Sequence, residues 1–351
     1  MRIVHLTWML KVGGIQTMLV DIANEQVKDH QVVIVVVNNI IDEHLVTKLD
    51  KRIRLIRIGR NPGSRSILPI IMLNIFLRRF HPDIIHCHED RQTKLLVGHI
   101  CPLIRTIHNT HSNPSEYPKF KRLCCISKAV KNYTETQGFP NGIVVYNGIH
   151  TDDILKRTLP FPAKGEPCKC VCVGRLHPMK GQIILIEAFN ILVNQRNYGG
   201  LLSLDLIGDG ESKDELVALT KQYGLENYIR FLGSQTREMF YPKLRDYDLF
   251  VLPSVSEGFG LTLAEACAAS IPVITCDLEG PMEVIDKGLY GRSFKTGDAR
   301  ALADALVDHI KKGTNINQVE EAYNYVQNHF DVKVTAIEYT KLYRSVLKEI
   351  L

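Results

Sequence analysis

No apolar run in this chain reaches the roughly 18–20 residues needed to span a bilayer, so a membrane-crossing helix is not expected. No C-x-x-C pair occurs and no histidine group has zinc-module spacing, which argues against a structural zinc site. G-x-G-x-x-G is missing, so a nicotinamide cofactor has no support. Basic residues are not interleaved with stacking aromatics, and nucleic acid is not expected as a partner. There is no low-complexity tail, and Met1-Arg-Ile-Val-His-Leu-Thr7 reads as a strand rather than a secretory leader.

What is present describes a globular chain. Its 351 residues exceed one ordinary core, so two domains are expected. Hydrophobic residues make up 45% and charged residues 23%. Nine cysteines occur; Cys168, Cys170 and Cys172 alternate along one strand face and read as buried thiols of a cytoplasmic protein. The net charge of +5 is uneven: residues 1–150 hold 20 Lys+Arg against 11 Asp+Glu, the remainder 23 against 27. Between Asp50 and Asp83 lie eight basic residues and no acid. That window contains Ile67-Leu-Pro-Ile-Ile-Met-Leu-Asn-Ile-Phe-Leu77, then Arg78 and Arg79. The segment admits two readings. It is a buried helix capped by Ser66 with Pro69 in its first turn, or a helix seated on an anionic membrane surface.

Short apolar runs alternate with helical stretches through both halves. In the first, strands are predicted at 2–7, 31–37, 53–58, 83–87, 103–107, 122–126 and 142–146, and helices at 15–28, 42–49, 66–80, 91–100 and 127–137. In the second, strands are predicted at 169–173, 202–207, 228–232, 248–252 and 272–275, and helices at 181–196, 211–223, 236–245 and 260–269. This rhythm predicts α/β architecture: two Rossmann-like, doubly wound parallel sheets facing across a cleft. Three prolines and a glycine at 158–167 mark the linker. The expected domains are 1–155 and 165–331, with a C-terminal helix at 332–351 completing the first.

Residues 257–265, Glu-Gly-Phe-Gly-Leu-Thr-Leu-Ala-Glu, are the most informative stretch. They follow an apolar strand closed by Pro253-Ser254 and lead into a small-residue helix. Gly258 and Gly260 let backbone approach a ligand. The helix start favours an anion. Glu257 in the turn and Glu265 two turns on offer carboxylates to hydroxyls, as a nucleotide sugar requires.

Other strand-end loops add to this. Gly13-Gly14 places bare backbone at a helix start. Gly174-Arg-Leu-His-Pro-Met-Lys-Gly181 offers Arg175 as a fork and Lys180 as a point charge to a departing diphosphate, unless both are merely solvated. His108 in Thr106-Ile-His-Asn-Thr-His111 is a sugar contact or a structural histidine. Ile207-Gly-Asp-Gly210 and Phe231-Leu-Gly-Ser-Gln235 offer base and ribose contacts through Gly208 and Ser234. Two motifs are set aside as metal sites: Asp246-Tyr247-Asp248, because Asp248 opens an apolar strand, and His86-Cys-His88, because no third ligand is expected near it.

The ordered set resembles the family 4 glycosyltransferases, group 1, retaining enzymes of the GT-B fold. It comprises Gly13-Gly14, Pro82-Asp83-Ile-Ile-His86, Thr106-Ile-His108, Ile126-Ser127-Lys128, Tyr146-Asn147-Gly148-Ile149, Gly174-Arg175-Leu176 with Lys180-Gly181, Ile207-Gly-Asp-Gly210, Phe231-Leu-Gly233, and Pro253-Ser254 with 257–265. The resemblance implies that Glu257 and His108 contact the donor sugar and Glu265 the ribose. It implies that Arg175 and Lys180 hold the diphosphate, and that the amides of Phe259, Gly260, Leu261 and Thr262 touch sugar and phosphate. It further implies transfer from a nucleotide-diphosphate sugar, UDP-sugar favoured, without metal or other cofactor. The acceptor would be a saccharide or lipid-linked chain of a bacterial surface polysaccharide or lipopolysaccharide. A cytoplasmic enzyme, peripheral on the inner membrane face through its basic first half, fits this picture. The sequence departs from the family at Gln16, where a glutamate is common after the glycines, and at Leu261-Thr262. Rival readings are a nucleotide-sugar epimerase, a sugar phosphorylase and a non-catalytic nucleotide-sugar-binding protein.

Overall fold

The computed structural model describes residues 1–11, 13–98 and 101–349. It divides into two compact units, Met1–Gly148 with Asp331–Leu351, and Ile149–Phe330.

The first unit runs β1 (Arg2–Thr7), α1 (Gly14–Gln26), β2 (Gln31–Asn38), α2 (Glu43–Thr47), β3 (Arg54–Arg60), α3 (Leu68–Phe80), β4 (Ile84–Cys87), β5 (Leu103–Ile107), β6 (Arg122–Cys125), α4 (Lys128–Thr136) and β7 (Gly142–Val144). The seven strands lie in the order β3-β2-β1-β4-β5-β6-β7, all neighbours parallel. A parallel sheet is covered on both faces, so its inner strands read as unbroken apolar runs. The valine-rich β2 is such a run, buried from Val32 to Val37.

The second unit runs β8 (Cys168–Val173), α5 (Gln182–Asn190), β9 (Leu202–Ile207), α6 (Lys213–Gln222), β10 (Ile229–Phe231), α7 (Arg237–Leu244), β11 (Leu249–Leu252), α8 (Leu261–Ala268), β12 (Val273–Cys276), α9 (Glu279–Val284), β13 (Arg292–Phe294), α10 (Ala299–Lys312) and α11 (Ile316–Phe330). Its six parallel strands are ordered β10-β9-β8-β11-β12-β13. Cys168, Cys170 and Cys172 do share a buried face and join the core of this unit. Residues following Gly148 also belong here. Arg157 fastens them by donating to Tyr247 O at 2.6 Å and to Asp248 Oδ1 at 2.8 Å.

α12 (Val332–Lys348) returns to the first unit. Tyr339 and Tyr343 are wholly buried there among Ile3, Met18, Ile84 and Ile104. Burying each ring stabilises the unit by about 2–3 kcal/mol.

Some local expectations need correction. Ser66 does not cap α3. Ile67 holds the cap position without a side-chain hydrogen bond, while the Ser66 amide donates to Ser64 Oγ; Pro69 does stand in the first turn. In place of a helix at 91–100 there is one 3-10 turn, Gln92–Leu95; residues 99 and 100 lie outside the described residues. Gln92 is buried, its side chain bonding the His88 amide and Leu6 O, so it anchors a turn. The expected helix at 181–196 gives way after α5 to a π turn, Ile191–Gln195.

Candidate active site

Each sheet reverses its winding once, between β1 and β4 and between β8 and β11. Loops diverge at such a point and leave room for a ligand beyond the carboxyl ends of the strands. The Gly13-Gly14 loop follows β1, the Arg175–Lys180 loop follows β8, and the Glu257 loop follows β11.

In the second unit the two loops are fastened together. Met179 O accepts from Val255 N at 3.0 Å and from Ser256 N at 3.2 Å. Lys180 Nζ then stands 2.6 Å from Glu257 Oε2, and Ser254 Oγ lies 3.5 Å from the same oxygen. Both charges are partly shielded, with side-chain exposures of 31% for Lys180 and 16% for Glu257. Gly181, at φ +66°, lets this loop press on β11: a Cβ there would lie 2.0 Å from Pro253 O. Gly280 serves the other side, where a Cβ would lie 2.5 Å from Gly258 O.

Gly260 opens α8 at φ +105°, with no side-chain cap. The amides of Leu261 and Thr262 therefore sit in the uncapped first turn, where the helix dipole favours an anion. The Phe259 ring is buried edge-on to Phe330 at 5.0 Å, fixing the turn through the core. Glu265 is buried in α8, accepting from Tyr241 Oη at 2.8 Å with Arg237 Nε 3.9 Å away.

The Arg175 side chain is exposed, and its carbonyl accepts from Gln182 Nε2 at 3.1 Å. Gly208 and Gly210 hold this loop. Cβ atoms there would lie 1.9 Å from Gly174 O and 2.2 Å from Leu176 O. Their glycine identity thus has a packing cause beside any ligand role. Gly208 N donates to Gly233 O at 2.8 Å, tying in the exposed Ser234. Next to it, Gln235 Oε1 is buried without a hydrogen-bond partner. Asp248 gives Oδ1 to Arg157 and Oδ2 to the Lys169 amide, while Asp246 is exposed. The pair does not converge on one point.

In the first unit, Gly13 caps α1 with extended backbone, and Gly14 begins the helix; Val12 lies outside the described residues. Gln16 donates to Glu89 Oε1 at 3.0 Å. Glu89 also accepts from Trp8 N at 2.9 Å, Gln92 Nε2 at 2.7 Å and Thr7 Oγ1. Burial raises its pKa. This carboxylate was not foreseen; its signal was its place just past β4.

His86 and His88 do have a third histidine beside them, contrary to expectation. β1 pairs with β4 so that His5 lies opposite His86, and the ring nitrogens of the three come within 4.8 Å of one another. They form a hydrogen-bonded network. Gln26 Oε1 only accepts, so His5 Nε2 donates to it at 2.8 Å. His5 Nδ1 then accepts from His88 Nε2 at 3.0 Å, and His88 Nδ1 is left without a partner. His86 bonds Tyr343 Oη at 2.6 Å and Thr106 Oγ1 at 2.7 Å. The next ring, His108, lies 6.0 Å from His88 between centroids, with Nε2 buried and unpartnered.

Burial lowers His5 to about 4. Burial, with the Arg105 charge, lowers His108 to about 3. His86 and His88 are held well below the usual value, first by burial and then by the neighbouring rings His5 and His108, with His86 acting on His88 as well. These rings stay neutral when folded, whereas an unfolded imidazole takes a proton near 6.5. Stability is therefore full above about pH 6.5 and falls as pH drops toward 4, because only the unfolded chain binds those protons. Glu89 acts in the opposite sense but is one group against four. The expected loss is roughly 1 kcal/mol per pH unit for each ring. Calorimetric melting between pH 7 and 5 measures it; an unchanged melting temperature would contradict neutral burial.

The model of the family described as Glycosyl transferases group 1 matches residues 160–328, and that of Glycosyltransferase Family 4 matches residues 12–153. The phosphatidyl-myo-inositol mannosyltransferase of Mycobacterium leprae is 25% identical over 284 residues, 75% of this chain and 74% of its own length. The lipopolysaccharide 1,6-galactosyltransferase of Salmonella typhimurium is 26% identical over 253 residues, 68% of this chain and 67% of its own. Anabaena Alr3699/HepE, solved with UDP and glucose, superposes with a TM-score of 0.80 at 21% identity, covering 98% of this chain and 100% of that one. With two parallel Rossmann-like sheets and both family models matched in order, the chain belongs to the family 4, group 1 glycosyltransferases, enzymes of the GT-B fold.

Proposed function

We propose that the protein transfers a hexose from a UDP-sugar, with retention at the anomeric carbon and without a metal, to a saccharide or lipid-linked acceptor of a bacterial surface polysaccharide or lipopolysaccharide. The observation that carries this is the 2.6 Å pair of Lys180 and Glu257 beside the uncapped start of α8. It sets a cation from the loop after β8 against a carboxylate from the loop after β11 that leads into the uncapped start of α8. Phosphate leaving requires positive ends fixed where charge grows. Lys180, Arg175 and the Leu261 and Thr262 amides supply them. Glu257 accepts from sugar hydroxyls and Glu265 from the ribose. Gly208 and Ser234 stand on the nucleoside side. In the first unit, neutral His108 offers substrate a hydrogen bond, and Gly13-Gly14 offers backbone. The departing phosphate takes the acceptor proton as attack occurs on the same face.

The relatives act, by their names, on mannosyl and galactosyl transfer, and HepE holds UDP and glucose; these support the donor class assigned here. No helix among the described residues is long and apolar enough to cross a membrane. On this reading the enzyme lies in the cytoplasm and meets its acceptor at the inner membrane face through its basic first half.

A panel of nucleotide sugars tests the donor, because one that binds only the folded state raises the melting temperature. UDP-hexoses are expected to give the largest shift, and transfer monitored by NMR is expected to keep the anomeric configuration and to survive EDTA. Epimerised sugar formed from donor alone, or activity abolished by EDTA and restored by a divalent ion, would overturn the proposal.

A further inference from the structure

We propose that α3 and the groove beside it seat the protein on a bilayer rich in anionic phospholipid. This deepens the reading of a lipid-borne acceptor and rests on it only for the benefit such seating brings.

Of the apolar side chains on α3 only Leu73 and Leu77 are buried. Ile67 is 68% exposed, Leu68 62%, Ile71 45%, Met72 52% and Ile75 46%. Residues 68, 71, 72 and 75 recur at helical spacing and form one stripe. An isolated exposed leucine means little; a contiguous stripe marks an interaction surface. Here the buried-helix reading of the sequence gives way.

Charge selects the occupant. Arg54, Arg65, Arg78 and Arg79 pair with no carboxylate among the described residues, and Arg54 lies over the Phe76 ring at 5.3 Å. Beside the stripe is a groove of about 550 Å³ lined by Arg2, Arg54 and Arg79 together with Met72, Ile75 and Phe80. Met72 and Ile75 belong to both stripe and groove. Apolar groups next to guanidinium groups suit the boundary between acyl chains and phosphate headgroups. A second copy of the chain fits poorly, since a two-fold contact would set these arginines against their own counterparts. α3 follows β3 and precedes β4, so its first turn starts at the carboxyl edge of a parallel sheet, the edge from which the His108 loop emerges. The groove lies at the opposite, amino edge, where Arg2 and Arg54 open β1 and β3, so a membrane lying along the whole of α3 runs from that groove to the carboxyl edge.

Co-sedimentation with vesicles tests this. The chain is expected to bind phosphatidylglycerol–phosphatidylcholine vesicles at least tenfold more tightly than phosphatidylcholine alone, and to lose that preference at about 0.5 M salt, where screening is short-ranged. The double variants Ile71→Glu/Met72→Glu and Arg54→Ala/Arg79→Ala are expected to bind at least tenfold more weakly, with melting temperature and transfer to a soluble acceptor unchanged. Equal binding to neutral vesicles, or wild-type binding by both variants, overturns the proposal. So does sedimentation velocity showing a dimer that Ile71→Glu/Met72→Glu converts to monomer, which would make a second copy the occupant. Failure of the transfer reading shows separately, in the vesicle-free donor assay.

Discussion

Lys180→Ala is expected to lower kcat by about 10²–10³-fold, the loss typical of removing one preorganised group that meets developing negative charge. Among the described residues the Lys180 cation has one charged contact, Glu257 at 2.6 Å. In the proposed reaction an incoming diphosphate would offer it a stronger anion and release Glu257 toward the sugar hydroxyls. Glu257→Gln is expected to cost about 10–100-fold, the worth of one charge-assisted hydrogen bond. The two losses should not add, because each variant disturbs the other's partner. Each should shift stability by only about 1–2 kcal/mol, since the pair is partly shielded rather than wholly buried. Single-turnover rates with melting curves measure both; near-wild-type transfer by Lys180→Ala would remove the cation from the mechanism.

Much of this arrangement was legible in the sequence, because the relevant signals are local. Val32 to Val37 is apolar without a break, as a doubly covered strand must be, and β2 runs through it. The loops at Gly13, Arg175 and Glu257 directly follow such runs, so their place at strand carboxyl ends follows from a parallel sheet alone. What escaped depends on strand order or on solvent access. His5 joins His86 and His88 only because β1 lies next to β4, a neighbour that is not consecutive in the chain. Glu89 reaches Gln16 for the same reason. The apolar content of 67–77 fits a core helix as well as a surface one; only the accessibility of Ile71 and Met72 separates them. Arg292–Phe294, Glu279–Val284 and Ala299–Lys312 went unpredicted. The first two are only 3 and 6 residues long, too short to carry a clear period.

Gly181→Ala should be among the most damaging single-methyl changes at the described residues. Two independent costs meet there. The residue sits at φ +66°, where a side chain strains the backbone by roughly 1–3 kcal/mol. The new Cβ would also lie 2.0 Å from Pro253 O, a backbone atom that cannot rotate away. Overpacking of that kind costs roughly another 1–3 kcal/mol. The relief available is to slide the Lys180 loop off β11, and that movement breaks the Met179 O bonds to Val255 and Ser256 and parts Lys180 from Glu257. Activity should therefore fall at least as far as in Lys180→Ala, and donor affinity with it, although no side chain that touches the ligand has changed. Gly280→Ala gives the control. Gly280 lacks a positive φ, so its effect isolates close approach, here a Cβ 2.5 Å from Gly258 O, from backbone strain. If Gly181→Ala melts and turns over like the parent, the two loops are not held by their bare backbones, and the Lys180–Glu257 geometry needs another cause.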